Sequence, residues 1–347
     1  MITKSFIGKS SEGEDIYLYN LVSQYGSVKI SSLGASVESI IVQDKNGNYV
    51  DVALGFDNVS AMEQQGQFIG SIVGRCANRI EKGSFNLNNK AYTLAVNDPP
   101  NHLHGGINGF NTRVWHADIC DNQLIFKLYS HDGDEGYPGN LEVSVTYEFD
   151  DNGRLKISYY AVSDADTVVN LTNHTYFNLS GHKDGDITDH LIKINSDYFT
   201  SCDDNCLPNG GIVAVEGTPM DFRVLRTIGQ YINCDYEQIK NAGGYDHNYI
   251  IKKGQGEFDF AGQAFSPKTG IYLNVYTDMP GLQFYSGNNI KELPLGKENS
   301  VYGKRSGFCL ETQFYPNALR HKRFPSPILK AGEVYKHITC YQFGVSI

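Results

Sequence analysis

The chain has 347 residues and a formal net charge of −10, with 36 glycines, 23 tyrosines and 18 phenylalanines. Its length allows two ordinary domains or one large β domain, and the aromatic content with many short alternating runs favours an all-β protein. The negative charge disfavours unspecific binding to nucleic acid or to anionic membranes, and no apolar run is long enough for a signal peptide or a transmembrane segment.

The cysteines indicate a reducing compartment. They are seven in number, an odd count, and are scattered along the chain, which is typical of reduced thiols rather than of a disulfide framework. Cys202 and Cys206 stand close together in sequence, but no second pair follows them, so a zinc site is not expected. We expect free thiols and a cytoplasmic protein.

Residues 1–55 have the pattern of structural scaffold, with short strands joined by polar turns. Period-two alternation between polar turns predicts strands over residues 17–21, 28–33 and 37–42. A short helix is predicted over Val59–Gln64, with Asn58 or Ser60 as its capping residue.

Residues 69–80 have a different composition. They form an apolar run interrupted by glycines, and its second half contains Arg75, Asn78 and Arg79. Two guanidinium groups and an amide suit a polyhydroxylated or an anionic ligand, because they offer several directed donors. The glycine spacing fits neither a dinucleotide nor a nucleoside-triphosphate motif, since no Gly-Lys-Ser/Thr follows.

The segment 98–106 contains paired prolines and the histidines His102 and His104. Prolines exclude a central strand, so an ordered loop is predicted. Two histidines at this spacing raise the alternative of a metal site, but no compact third ligand accompanies them. Contact with a substrate is favoured, because a neutral imidazole both donates to and accepts from a sugar hydroxyl.

Strands are predicted next over 114–119 and 124–129, followed by a hairpin of 141–149 with 155–161. The acidic segment 132–139 between them is interpreted as a solvated turn in preference to a calcium loop.

Residues 168–181 are predicted as one strand with a polar face and an apolar face. The polar face is Asn170, Thr172, His174, Tyr176 and Asn178, and the apolar face is Val169, Leu171, Thr175, Phe177 and Leu179. A row of Asn, His and Tyr suits a lined pocket better than open solvent. From this strand alone, however, an ordinary hydrogen-bonded histidine is the simpler interpretation of His174.

The C-terminal third carries three further candidates. Residues 182–245 look irregular, with a possible short helix near 226–232, and lead to Asp246, which is either a turn cap or a ligand contact. Gln283 shares a strand face with Tyr285. Glu311 alternates with apolar neighbours over 307–314 and is either an edge residue or a buried carboxylate placed for acid–base chemistry. A closing strand is predicted over 334–343.

Taken together, these segments resemble the galactose mutarotase (aldose 1-epimerase) family over nearly the whole chain. The motifs that carry the resemblance occur in the family's order: 74–80 (GRCANRI), 101–106 (NHLHGG), 136–139 (GYPG), 170–179 (NLTNHTYFNL), 244–247 (GYDH) and 307–313 (GFCLETQ). The departures, Asn317 and the basic residues 320–322, lie after the last motif and concern a local loop.

The resemblance implies a fold, an activity and a set of site residues. The fold is one large antiparallel β-sandwich (supersandwich), here a single domain over 1–347, with the sugar in a cleft on its concave side. The activity is that of a cofactor-independent and metal-independent isomerase interconverting the anomers of free hexoses such as galactose and glucose, acting as a monomer or homodimer. The implied catalytic residues are His174 and Glu311, and the implied substrate-binding residues are Asn78, Arg79, His104, Tyr176, Asp246 and Gln283.

The chemistry explains why such an enzyme needs an acid and a base. Opening the ring requires a base to take the C1 hydroxyl proton while an acid protonates the ring oxygen. We assign Glu311 as the base and His174 as the acid, because their intrinsic acidities suit these roles near neutrality and a nearby carboxylate would favour protonated His174. The alternatives are a hexose-phosphate epimerase using Arg75 and Arg79, a non-catalytic sugar-binding protein and a glycosidase, although paired carboxylates are not evident.

Overall fold

The computed structural model describes residues 1–346, and strands dominate it. The strands, in chain order, are β1 Ile2–Lys9, β2 Asp15–Val22, β3 Gly26–Ser31, β4 Val37–Gln43, β5 Tyr49–Asp51, β6 Ile72–Val73, β7 Arg79–Ile80, β8 Ser84–Leu87, β9 Lys90–Thr93, β10 His102–Leu103, β11 His116–Cys120, β12 Gln123–Ser130, β13 Leu141–Phe149, β14 Arg154–Ser163, β15 Thr167–Val168, β16 Thr172–Asn173, β17 Leu191–Ile194, β18 Tyr198–Cys202, β19 Pro208–Ala214, β20 Arg226–Thr227, β21 Asp246–Ile250, β22 Asp259–Phe265, β23 Ile271–Thr277, β24 Gly281–Tyr285, β25 Cys309–Gln313, β26 Ile328–Leu329 and β27 Val334–Val345.

Helices are few and short. The α-helices are α1 Val59–Gln64 and α2 Glu237–Ala242. Single 3₁₀ turns occupy Glu81–Gly83, Phe110–Thr112, Asp134–Gly136, Ile228–Gln230, Lys297–Asn299 and Ala318–Arg320. No helix among residues 1–346 combines the length and the apolar character that a bilayer crossing requires.

Three antiparallel sheets organise the molecule. The largest has nine strands in the order β11-β12-β13-β14-β27-β23-β22-β17-β20, and two five-stranded sheets have the orders β1-β2-β3-β4-β5 and β19-β18-β21-β24-β25. The nine-stranded sheet packs on the first of these through Tyr19 and Phe126, whose ring centroids are 5.6 Å apart. It packs on the second where the Tyr341 hydroxyl donates to the Leu310 carbonyl at 2.8 Å. The predicted all-β antiparallel sandwich is confirmed.

Local patterns predicted several elements correctly. Helix α1 has the predicted bounds, and the Asn58 side chain caps it by accepting from the Ala61 N–H at 2.9 Å. The hairpin of β13 and β14 alternates buried positions with partly or fully exposed ones as predicted. All seven cysteines are free thiols.

Two predictions are wrong. Residues 168–181 do not form one strand; this extended segment pairs briefly with β26 and β6, and Phe177 forms single bridges to Ala53 and Phe308. Neighbours cover it on both sides, so its polar side chains are buried as well as its apolar ones. Residues 182–245 are not irregular either, since they contain β17 to β20 and α2, while the helix predicted near 226–232 is only a 3₁₀ turn.

Candidate active site

A cleft of about 1310 Å³ opens beside the sheet that contains β21, β24 and β25. Loops around residues 65–68, 97–98 and 103–114 form its other walls. The polar side chains that line it include Asn78, Arg79, Asp98, His104, His174, Asp246 and Glu311.

Strand register places Glu311 beside two other polar groups. Glu311 lies in the middle of β25, where the antiparallel ladder pairs it with Gln283 of β24. On the next strand, Asp246 of β21 pairs with Tyr285. Alternate residues of a strand point to the same side, so Glu311, Gln283 and Asp246 share one face of this sheet. The opposite face is apolar and contributes to the main core.

His174 approaches Glu311 from the extended segment that follows β16. Its backbone is fixed on both sides, because its N–H donates to the Ser71 carbonyl at 2.9 Å and its carbonyl accepts from the Gly70 N–H at 3.0 Å. The imidazole Nε2 lies 3.6 Å from Oε2 of Glu311. Its Nδ1 lies 3.5 Å from Sγ of Cys309, two residues before Glu311 on β25.

Burial sets the protonation of this pair. The exposed fraction is 4% for His174 and 2% for Glu311. Burial raises the pKa of Glu311 well above its ordinary value, an effect that the Asp246 carboxylate strengthens and Arg79 opposes. It lowers the pKa of His174 from 6.5 to about 4. Desolvation of His174 thus acts against the protonated imidazole that the neighbouring carboxylate was expected to favour.

Arg79 is anchored between two carboxylates. Its Nε donates to Oδ2 of Asp98 at 2.8 Å, and its Nη1 lies 3.8 Å from Oδ2 of Asp246. The Gln283 side-chain amide donates to Oδ1 of Asp246 at 2.6 Å. Burial raises the pKa of Asp246, and Arg79 and the Gln283 hydrogen bond oppose that rise. The guanidinium group is thus held at the cleft wall.

His104 presents a donor to the cleft. Its Nδ1 accepts a hydrogen bond from the Asn78 backbone N–H at 3.2 Å, so the neutral ring carries its proton on Nε2. Burial lowers the pKa of His104 well below its ordinary value, and His174 and Arg79 add to the effect. The ring is therefore neutral, and it stands nearly perpendicular to that of His174, with the centroids 5.1 Å apart.

Comparison with known proteins gives the family. The model of the family described as Aldose 1-epimerase matches residues 17–342. The chain belongs to the aldose 1-epimerase family. It is 40% identical over 346 residues to the galactose mutarotase of Sus scrofa, with 99% of each chain covered, and 35% identical over 337 residues to the aldose 1-epimerase of Escherichia coli K12, with 96% of each covered.

A solved structure supports the same assignment. The galactose 1-epimerase of Lactobacillus acidophilus superposes with a TM-score of 0.85 at 28% identity, covering 100% of this chain and 99% of that one. The protein is thus an isomerase of the aldose 1-epimerase type.

The aldose 1-epimerase cleft also brings together three groups of the kind that bind metals. His104, His174 and Glu311 offer ligand atoms within 4.8 Å of one another. The donor set does not suit a resident metal, because His104 uses Nδ1 to accept from Asn78 and carries a proton on Nε2. A sugar hydroxyl, which accepts from that N–H, fits the site better.

The structure brings most of the predicted site residues together. Seven of the eight line the cleft, and the remaining one, Gln283, reaches it through Asp246. Tyr176 is 1% exposed and its hydroxyl donates to the Gln67 carbonyl at 3.1 Å, so it contributes the side of its ring.

Two other candidates from the sequence lie outside the cleft. Arg75 is buried and donates to the Ser130 hydroxyl and to the carbonyls of Ser130, His131 and Pro138. His102 bridges the Ala95 carbonyl and the Tyr137 hydroxyl, at 2.7 Å each. Both are structural residues, because their polar atoms are used within the fold.

Phe68 and Asp98 are among the residues of the cleft wall that sequence reasoning missed. Asp98 lies in the loop that was singled out for its histidines. Its distance from Arg79 along the sequence gives no indication that the two side chains pair. Phe68 stands between Gly66 and Gly70; the glycines indicate a loop but do not indicate that an aromatic ring reaches the cleft.

Proposed function

We propose that the protein catalyses mutarotation of free aldohexoses, with galactose and glucose as substrates and with Glu311 and His174 as the acid–base pair. The observation that carries the proposal is the 3.6 Å approach of His174 Nε2 to Glu311 Oε2 inside the cleft. Oε2 is buried, and no hydrogen-bond donor within residues 1–346 reaches it. A buried, unpaired carboxylate oxygen is costly for stability and suits acid–base work.

The ring opens when Glu311 takes the proton of the C1 hydroxyl and His174 donates a proton to the ring oxygen. The bond between C1 and the ring oxygen breaks, and the electron pair of the former O–H bond forms the aldehyde. After rotation about C1–C2 the ring recloses from the other face, with the two groups exchanging roles.

Burial strengthens both partners for these steps. A carboxylate whose pKa is raised is a stronger base, and an imidazolium whose pKa is lowered is a stronger acid. In the free protein, burial raises the pKa of Glu311 and lowers that of His174, so it opposes the charged form of each group. The arrangement with the proton on His174 and the charge on Glu311 is therefore more reactive than the same pair would be in water.

The remaining cleft residues are proposed to hold the sugar. Asn78, Arg79 and the Nε2–H of His104 donate to hydroxyl groups, and Asp246 accepts from them while Gln283 holds its carboxylate in place. Tyr176 contributes the ring that lies 5.1 Å from the His174 ring.

Charge in the cleft favours a free sugar over a sugar phosphate. A phosphate site needs a cluster of cations, and Arg75 is committed elsewhere in the fold. Arg79 already faces Asp98 and Asp246. The acid–base pair likewise favours an enzyme over a non-catalytic binding protein.

We further propose a single domain over 1–347, because the main apolar cluster draws residues from Tyr19 to Phe343 and the family model spans most of the chain; residue 347 lies outside the described residues. The free thiols support a cytoplasmic location. A monomer or homodimer is proposed, and light scattering after size-exclusion chromatography tests it.

The direct test is polarimetry of freshly dissolved α-D-galactose and α-D-glucose in dilute buffer with a chelator. Wild-type protein is expected to speed the approach to equilibrium on both sugars, and His174→Ala is expected to lose the acceleration while staying folded. Folded wild-type protein that accelerates neither sugar would overturn the proposal.

A further inference from the structure

Phe68 lies beside the two histidines of the cleft. It is half-buried and lines the cleft from the loop between α1 and β6. Its ring centroid is 4.6 Å from that of His104 and 6.0 Å from that of His174, at interplanar angles of 53° and 35°. The ring therefore adjoins the place where the reacting end of a sugar must lie.

The other aromatic carbocycles that line the cleft are less available. Tyr176 and Tyr285 are 1% and 8% exposed. The Tyr176 hydroxyl donates to Gln67, and the Tyr285 hydroxyl accepts from the Asn289 N–H at 2.9 Å. Phe68 is the most open of these three rings, and it carries no polar group.

The backbone at Phe68 is held in an unfavourable conformation. Its φ of +58° lies in the left-handed region, which a bulky residue rarely adopts. The Gln65 side chain accepts from the N–H groups of Gln67 and Ile69, at 2.8 and 3.1 Å, and so clamps the loop on both sides of Phe68. Strain that neighbouring groups enforce is often found where a side chain must be aimed at a ligand.

The polar residues of the cleft explain how hydroxyl groups are held, but a pyranose ring also has apolar C–H surfaces. A flat ring without polar atoms offers such a surface dispersion contact, and it removes water from it. Sugar sites thus need an apolar wall as well as directed donors and acceptors.

We propose that Phe68 is a substrate-binding residue whose ring stacks on a C–H face of the aldose and so holds C1 and the ring oxygen beside Glu311 and His174. This inference rests on the proposed function for the identity of the sugar. The contribution of Phe68 is to binding of the ground state. The C–H face on which it stacks does not change charge when the sugar ring opens, so the contact is not specific to the transition state.

The test measures binding separately from turnover. The probe is 1,5-anhydro-D-galactitol, which lacks the anomeric hydroxyl and cannot open, and its Kd is measured by calorimetry. Phe68→Ala is expected to weaken binding about three- to tenfold, as aromatic contacts of this kind do. KM for galactose is expected to rise by a similar factor, with a smaller change in kcat and an unshifted pH profile.

Matched variants separate the ring from other effects. Phe68→Tyr keeps the ring and is expected to bind the probe as the wild type does. Ile107→Ala removes an apolar side chain that is 65% exposed at the same cleft; it is expected to leave Kd unchanged. Should Phe68→Ala fail to fold, Phe68→Gly removes the ring without strain at positive φ and carries the test.

An unchanged Kd in Phe68→Ala, or in Phe68→Gly in its place, overturns the proposal. A fall in kcat at constant Kd overturns it as well, because the ring would then act only by positioning the histidines. If the wild type does not catalyse mutarotation, the proposed function is contradicted instead. The role of Phe68 in binding is still decided by comparing the Kd of the wild type with that of the variant.

Discussion

His174 Nε2 lies 3.6 Å from Glu311 Oε2, although the two residues come from an extended segment and a strand far apart in sequence. Both side chains are buried, so the charged form of each is disfavoured. This relationship makes the pair reactive in the proposed mechanism, and it makes substitutions at either position informative.

Replacing Glu311 with Gln keeps the shape of the side chain and removes the base. We expect kcat to fall by about 10²- to 10⁴-fold, the usual contribution of such a group. The Kd for 1,5-anhydro-D-galactitol is expected to change little, because that sugar has no C1 hydroxyl to deprotonate. Polarimetry and calorimetry on the same preparation check this, and a variant with near-normal kcat would remove Glu311 from the mechanism.

Replacing Asp98 with Asn weakens the anchor of Arg79. The carboxylate accepts from Nε of Arg79 at 2.8 Å and is not itself a proposed sugar ligand. We expect KM for galactose to rise about two- to tenfold with kcat changed less, because the guanidinium samples more positions. Asp118→Asn, which breaks the exposed pair with Lys127, is the matched control. Equal effects of the two substitutions would contradict the specific role of Asp98.

The stability of the protein is expected to depend on pH through Glu38, a buried carboxyl group that lies away from the cleft. It is 3% exposed, its Oε2 accepts from the Phe56 N–H at 2.9 Å, and burial raises its pKa from 4.5 to about 8. Between these pH values the unfolded chain has lost the proton and the folded protein keeps it. Stability therefore falls as pH rises through this window, by at most about 1.4 kcal/mol per pH unit, and the contribution levels off above pH 8.

Urea unfolding of the wild type and of Glu38→Gln from pH 5 to pH 8 measures this effect. The variant cannot ionise at this position, so its free energy of unfolding is expected to fall less with rising pH than that of the wild type. The exposed Glu12→Gln is expected to keep the wild-type slope. Identical slopes for the wild type and Glu38→Gln would show that Glu38 does not hold its proton in the folded state.

Cys309 is expected to act as a positioning residue for His174. Its Sγ lies 3.5 Å from Nδ1 of His174, and burial raises the pKa of the thiol well above its ordinary value, so it stays neutral. Cys309→Ala is expected to lower kcat about tenfold with little change in KM, because the imidazole loses its orientation. Cys309→Ser is expected to restore part of the loss, whereas Cys340→Ala on β27 should have no effect on kcat. An unaltered kcat in Cys309→Ala would exclude this role.

Local sequence was sufficient for elements whose partners are nearby. The alternation of β13 and β14 indicates one face packed in the core and one face that is less buried, because side chains of a strand alternate by geometry. Asn58 marks the start of α1 because its side chain caps the first turn. The same alternation placed Glu311 opposite the apolar face of β25, and this is how it lies in the structure.

Tertiary structure decided what depends on distant neighbours. Residues 168–181 have the pattern of a two-faced strand, yet partners from several parts of the chain cover both sides, and no local pattern encodes that burial. Arg75 and Arg79 are similar in sequence context, but only Arg79 reaches the cleft. The pKa shifts of Glu311 and His174 likewise arise from desolvation by residues far away in sequence. The sequence by itself determined the fold class and most of the candidate residues, while the protonation of the pair follows only from how the folded chain excludes water.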